Sequence, residues 1–211
     1  MNTTTFSKRE EIAHAITHGL GALLSIAALV LLITFASVHR DPLLITSVTI
    51  FGSTMLLMYI SSTLVHSLPK GKGKSVFLII DHASIYFFIA GTYTPLLLLT
   101  IEGTIGWTLF GIVWGLALLG TFFKIFFVEK FIMLSTIFYI LMGWLIVVAW
   151  GPLTDSLHQT GLALLIAGGI VYTVGAVFYV WKRIPYHHVI WHIFVIVGSA
   201  LHFFVVLFYV I

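Results

Sequence analysis

The chain has 211 residues, of which 60% are hydrophobic and 8% are charged, and its formal net charge is +3. A soluble globular domain carries about 25% charged residues, so this composition excludes that class and indicates an integral membrane protein. The Lys and Arg residues number only ten and are scattered, which excludes a nucleic-acid-binding surface.

Long apolar segments follow one another along the whole chain. A helix needs about 20 apolar residues to cross a hydrocarbon core of about 30 Å. The first segment follows a basic pair, Lys8 and Arg9, but it is too long for a secretory signal and is interpreted as a retained helix. The sequence therefore predicts an all-α membrane protein, a bundle of seven transmembrane helices. The segments are 12–38, 43–66, 76–100, 107–128, 131–150, 161–181 and 188–211.

The basic residues between these segments predict the orientation of the bundle. Counted by alternate sides, all Lys and Arg except Arg40 fall on the side of the N-terminus. Because cytoplasmic loops carry the excess of Lys and Arg, the N-terminus is expected in the cytoplasm and the C-terminus outside. The loops are short, so consecutive helices should be antiparallel neighbours.

Polar side chains gather at the cytoplasmic ends of three predicted helices. At a rise of about 1.5 Å per residue, His66, Asp81 and His192 lie about 6, 10 and 14 Å inside the cytoplasmic boundary. His188 lies at about 8 Å, and Ser62 is one turn deeper than His66 on the same helix face. Ionisable residues inside a membrane usually face the bundle interior and mark function.

Three of these residues form a candidate zinc site. His188 and His192 are one helical turn apart on one face, so both imidazoles can reach one ion, and His66 supplies a third. The chain contains no cysteine, which leaves histidine, carboxylate and water as ligands. Three imidazoles and a water are typical of a catalytic zinc, with Asp81 as general base toward that water. Ser62 could orient a ligand or donate a hydrogen bond to a carbonyl oxygen.

The first helix offers a competing group of ligands. Glu11, His14 and His18 lie on one face and could hold a metal from a single helix. We favour His66, His188 and His192 as ligands and expect the first-helix group to support them or to form a proton path beside the site. His82 and His187 point about 100° away from Asp81 and His188, so solvation at the membrane interface is expected for both.

These motifs together resemble the signature of the hemolysin III proteins, bacterial members of the progestin and adipoQ receptor family. The resemblance rests on the order and spacing of motifs in the first, second, third and seventh helices, and it covers nearly the whole chain, so residues 1–211 are expected to form one domain. The motif residues are Glu11, His14 and His18 followed by Gly19 and Gly21, then Ser62 and His66, then Asp81, and then His188 and His192.

The resemblance implies a multi-pass protein of the bacterial cell membrane with a zinc ion near the cytoplasmic side. The ligands would be His66, His188 and His192, with Ser62 and Asp81 around the metal. It also implies kinship to alkaline ceramidases, which hydrolyse lipid amides with a similar set of residues. The family commonly has Asn where this chain has His14, so the role of that position is left open.

Three functions are compatible with this sequence. The first is a zinc-dependent hydrolase that acts on a lipid amide or ester near the cytoplasmic side, with membrane lipid as its partner. The second is a non-enzymatic sensor or regulator of membrane-lipid homeostasis in which zinc is structural. The third is a pore-forming cytolysin. A channel should carry polar residues through the full depth of the bundle, whereas here they are concentrated on the cytoplasmic side, which weakens this interpretation.

Overall fold

The computed structural model describes residues 6–211, and its regular structure there is helical. Two short irregular helices interrupt the α-helices: a π-helical turn, Leu96–Ile101, follows the third, and a 3-10 turn, Leu145–Ala149, follows the fifth. The α-helices are α1 (Lys8–His39), α2 (Pro42–Ser67), α3 (Lys72–Pro95), α4 (Gly103–Phe127), α5 (Ile132–Gly143), α6 (Trp150–Ser156), α7 (Gln159–Val180) and α8 (His187–Tyr209).

Seven helical stretches of the described chain are long and apolar enough to cross a membrane, which confirms the predicted seven-helix, all-α architecture. The third stretch combines α3 with the π-helical turn, and the fifth combines α5, the 3-10 turn and α6. The stretches are Lys8–His39, Pro42–Ser67, Lys72–Ile101, Gly103–Phe127, Ile132–Ser156, Gln159–Val180 and His187–Tyr209.

Apolar side chains lie on the outside of the bundle and polar side chains lie inside, as in a protein surrounded by lipid. Large apolar side chains cover the outside, including Leu119, Phe122 and Val148, which are 68%, 63% and 72% exposed. Hydroxyl side chains such as Ser25 and Thr94 are buried and donate to carbonyls one turn back in their own helices. This arrangement places the residues capable of chemistry in the interior.

Local sequence explains where the first two helices begin. Ser7 caps α1 as part of a capping box: its hydroxyl oxygen accepts from the Glu10 N–H, and the Glu10 carboxylate accepts from the Ser7 N–H. Asp41 caps α2 by accepting from the Leu43 N–H at 2.8 Å, and Pro42 occupies the first helical position. The connection between the two helices is therefore tight.

The helices α1, α2, α3 and α8 form the part of the bundle that carries the motifs. α1 packs against both α2 and α8, and α2 packs against α3. Gly21 allows α1 to approach the Tyr59 ring of α2, because a Cβ at Gly21 would lie 2.5 Å from Tyr59 Cδ1. The Tyr59 hydroxyl in turn bonds to the Ser199 hydroxyl of α8 at 2.9 Å. These contacts hold the three helices in register.

The fifth stretch is not the continuous helix that its apolar sequence predicts. It breaks after Gly143, where Tyr93 of α3 hydrogen-bonds to the interrupted backbone. The Tyr93 hydroxyl lies 2.9 Å from the Met142 carbonyl and 2.7 Å from that of Gly143, and it accepts from the Ile146 N–H at 2.9 Å. A buried tyrosine thus replaces the missing helical bonds, as a break inside a membrane requires.

Candidate metal centre

The ends of α2 and α8 bring three predicted ligands together. One ring nitrogen from each of His66, His188 and His192 lies within 4.8 Å of the others. Imidazole nitrogens are good zinc ligands, and three of them at this separation can share one ion. The chemistry of the donor set and the placement of the rings therefore fit a divalent metal.

The hydrogen bonds of His66 leave one of its nitrogens free for a metal. Nδ1 lies 2.6 Å from Glu11 Oε2, and the other carboxylate oxygen accepts from Lys74 Nζ at 2.8 Å. A carboxylate only accepts, so Nδ1 carries the proton and Nε2 keeps its lone pair. That Nε2 is buried without a hydrogen-bond partner in the described chain. A carboxylate that orients a ligating histidine in this way is common in metal sites.

Thr17 bonds to Nδ1 of His192 as Glu11 bonds to Nδ1 of His66, and this role of Thr17 was not predicted from the sequence. The Thr17 hydroxyl donates to the Ala13 carbonyl at 2.8 Å, so its oxygen accepts from His192 Nδ1, which lies 3.0 Å away. Nε2 of His192 is then left for a metal. Thr17 lies three residues after His14, on the same helix face. In the sequence, this spacing was the one feature that could have pointed to a role for Thr17 beside the histidines.

Among the described residues, Glu11, His14 and His18 do not bring three potential ligand atoms within 4.8 Å of one another. Glu11 and His14 belong to a second group with potential ligand atoms within 4.8 Å, but its third member is His66 of α2. His18 belongs to neither group. Its ring stacks on that of His192 with ring centres 3.4 Å apart. The structure therefore joins Glu11 and His14 to the predicted ligands rather than to His18.

Asp81 and Ser62 lie beside the histidines and outside both ligand groups. Ser62 is buried and lies next to the Asp81 carboxylate, and both residues line the cavity that also reaches His66 and His188. Asp81 Oδ2 is 3.6 Å from Nδ1 of the neighbouring His82. The Asp81 carboxylate thus shares a cavity with His66 and His188 but is in neither group of potential ligands.

Two histidines expected at the membrane interface are instead held inside the bundle. His82 Nδ1 donates to the Leu78 carbonyl at 2.9 Å, and its Nε2 accepts from the Tyr179 hydroxyl at 3.2 Å. His187 is buried and donates from Nδ1 to the Phe178 carbonyl at 3.0 Å. The expectation of interfacial solvation was wrong because protein groups bond to these rings: the Leu78 carbonyl of the same helix and Tyr179 of α7 bond to His82, and the Phe178 carbonyl of α7 bonds to His187.

A cavity of about 300 Å³ connects the histidines to the interior of the bundle. Lys74, His66 and Asp81 line one end of it, and the lining continues past apolar residues such as Leu96 and Leu165 to His202. His202 follows His192 by ten residues, or about 15 Å along α8. We call His14, His66, His188 and His192 the histidine group. The cavity is thus polar near this group and mainly apolar beyond it.

Phe6 covers the histidine group at the end where α1 begins. Its ring centre lies 4.6 Å from that of His14, 5.3 Å from that of His188 and 6.2 Å from that of His66. The aromatic ring thus forms an apolar wall over these histidines.

Comparison with known proteins gives similarity over nearly the whole chain. The profile of the family described as "Haemolysin-III related" matches residues 6–203. The "Hemolysin-3 homolog" of Bacillus subtilis (strain 168) is 58% identical over 204 residues, which are 97% of this chain and 96% of that protein. "Hemolysin-3" of Bacillus cereus is 53% identical over 210 residues, which cover 100% of this chain and 96% of that protein.

A more distant similarity extends to animals. The human "Monocyte to macrophage differentiation factor" is 32% identical over 164 residues, which are 74% of this chain and 67% of that protein. No solved structure matches the chain.

Proposed function

This chain belongs to the Haemolysin-III related family and is a multi-pass bacterial membrane protein, and we propose that it is a zinc-dependent hydrolase of a lipid amide or ester. The histidine group would lie near the cytoplasmic side, with the N-terminus in the cytoplasm and the C-terminus outside. One observation supports this proposal above all. His66, His188 and His192 lie close together, and they line the same mainly apolar cavity as Asp81 and Ser62.

His66, His188 and His192 would hold the ion. All three donors are imidazoles, and those of His66 and His192 have their Nδ1 atoms held by Glu11 and Thr17. A zinc ion bound there supplies a Lewis acid and makes water nucleophilic near neutral pH.

Asp81 and Ser62 would act on the substrate and on water. The Asp81 carboxylate takes a proton from the water that adds to the carbonyl carbon, and the Ser62 hydroxyl donates a hydrogen bond to the carbonyl oxygen as it gains negative charge. The bond from carbon to the leaving nitrogen or oxygen then breaks, and Asp81 returns the proton to that atom. The products are a carboxylic acid and an amine or an alcohol.

The shape of the cavity supports a lipid as the substrate. Its volume, about 300 Å³, is at the lower end of the range for small-molecule sites. Beyond the polar end it is lined by side chains such as Met58, Phe88 and Leu165, which would cover an acyl chain while the scissile carbonyl stays beside Asp81.

The test compares hydrolysis and zinc content in the same preparations. Purified wild type with one zinc per chain should hydrolyse a fluorescent N-acylsphingosine or a fluorescent fatty-acyl ester in micelles. Asp81→Asn should lower kcat by about 10²–10⁴-fold, the usual contribution of a general base, and should keep its zinc. Ser62→Ala should also lose activity, whereas Ser47→Ala, a buried serine elsewhere in α2, should not.

Full activity of Asp81→Asn would contradict the assigned role. A zinc-loaded wild type that hydrolyses neither lipid would favour the sensor. The name of the Bacillus cereus relative refers to lysis of cells by that protein, so the same preparations should be assayed for dye release from liposomes. Release that survives loss of all three ligand histidines would favour a pore.

A further inference from the structure

His14 and His18 are both buried with unpartnered ring nitrogens, but the His18 ring is stacked on that of His192, which leaves His14 as the one that could turn a nitrogen toward the proposed ion. The His14 side chain is 0% exposed, and neither ring nitrogen has a hydrogen-bond partner among residues 6–211. Burial of an unpaired polar ring costs free energy, so such groups in native proteins usually have a partner. A metal ion beside the ring would be such a partner.

The His14 ring lies beside the rings of all three proposed ligands. His14, His66, His188 and His192 have all six of their ring-centre distances between 4.5 and 5.5 Å. Four imidazoles on one tetrahedral zinc, with Zn–N bonds of about 2.0 Å, have ring centres about 5 Å apart. The four ring centres therefore have the mutual spacing of a tetrahedral four-histidine site. The ligand atoms of His14 group within 4.8 Å with those of Glu11 and His66 and not with those of His188 and His192, so the His14 ring would turn to meet the ion.

We propose that His14 is a fourth zinc ligand and occupies the position that a catalytic zinc keeps open. This inference rests on the proposed centre of His66, His188 and His192. Zinc sites with four protein ligands are closed and structural, while catalytic sites have three and an exchangeable position. The resting centre is thus closed, and His14 must leave the ion before substrate or water reaches it.

The packing of α1 makes this exchange possible without loss of the centre. Only His14 comes from α1, whereas His66 comes from α2 and the other two ligands from α8. A rotation of the His14 side chain would free one coordination position and leave three ligands in place, because Glu11 and Thr17 of α1 would stay bonded to His66 and His192. Phe6, in contact with the His14 ring, would have to move with it.

X-ray absorption at the zinc edge tests the proposal by counting imidazole ligands. The full-length, tag-free chain loaded with one equivalent of zinc should give four imidazoles for the wild type. His14→Asn, which removes the ring but keeps a polar side chain, should give three imidazoles and an oxygen donor, and should raise the zinc dissociation constant at least about tenfold. His202→Asn is the matched control, because both ring nitrogens of His202 are also buried without a hydrogen-bond partner in the described chain, while His202 lies about 15 Å from His192 along α8.

The outcomes separate this inference from the proposed function. Three imidazoles in both the wild type and His14→Asn would overturn the fourth ligand and leave the three-histidine centre intact. Zinc that is lost in Glu11→Gln but kept in His188→Ala would assign the ion to Glu11, His14 and His66, and both proposals would fail. A wild type that binds no zinc would also overturn both.

Discussion

Thr17 is a single hydroxyl that connects α1 to a proposed metal ligand in α8. Its oxygen accepts from His192 Nδ1 and so selects the ring nitrogen that remains for the ion. Thr17→Val keeps the shape of the side chain and removes this bond. We expect zinc affinity to fall about 10–100-fold, as is typical when the partner of a ligating histidine is lost.

Competition with a chromophoric chelator would measure this change in the purified protein. Thr49→Val is a suitable control, because the Thr49 hydroxyl donates to the Ile45 carbonyl of its own helix. Equal affinities of wild type and Thr17→Val would mean that the hydrogen bond does not orient His192.

The sequence indicated which residues could form the centre but not how their rings are held. His66, His188 and His192 could be placed at similar depths, because helical rise and the basic loops give depth directly. The hydrogen-bond partners of the rings could not be identified from the sequence. The bonds that His192 donates to Thr17 and His187 donates to the Phe178 carbonyl depend on how each helix is rotated about its axis. One sequence does not determine that rotation.

The contact of α1 with α2 depends on the absence of a side chain at Gly21. A methyl group there would lie 2.5 Å from Tyr59 Cδ1 and 2.6 Å from Cε1, so the Tyr59 ring would have to move. Its hydrogen bond to Ser199 would then be disturbed. We expect Gly21→Ala to lower the free energy of unfolding by about 1–3 kcal/mol, the usual cost of overpacking.

Gly111→Ala in α4 separates this effect from helix propensity. Among the described residues, no heavy atom outside the nearby backbone of α4 lies within 4 Å of a Cβ added at Gly111, so this substitution should be neutral or slightly stabilising. Unfolding of both variants by sodium dodecyl sulfate in mixed micelles gives the comparison. Equal stability of the two would indicate that α1 adjusts at no cost.

Hydropathy predicted the helices well but not their interruptions. Seven spans followed from apolar length, which fixes whether a segment can cross the hydrocarbon core. The break after Gly143 could not be predicted, because it depends on Tyr93 of another helix to satisfy the freed backbone groups. Such compensation is a tertiary contact and leaves no mark in the local apolar pattern.

The orientation of the whole bundle can be tested with single cysteines, since the chain has none of its own. Gly73→Cys lies near the start of α3 and Gln159→Cys at the start of α7, both at exposed positions. With the N-terminus in the cytoplasm, a membrane-impermeant maleimide should label Gln159→Cys in intact cells and Gly73→Cys only after permeabilisation.

The wild-type chain has no cysteine, so its maleimide signal measures the nonspecific labelling. The reverse pattern would place the histidine group on the outer side of the membrane. A lipid substrate would then have to come from the opposite leaflet, although the ligand set itself would not change.

The position of Phe6 over the histidine group also affects how the protein should be produced. Any peptide fused to the N-terminus joins the chain five residues before a ring that contacts His14 and His188. A polyhistidine tag at that end would bring additional imidazoles within reach of the same ion. Purification through a cleavable tag at the C-terminus, after Ile211, keeps foreign ligands at the opposite end of α8 from His188 and His192.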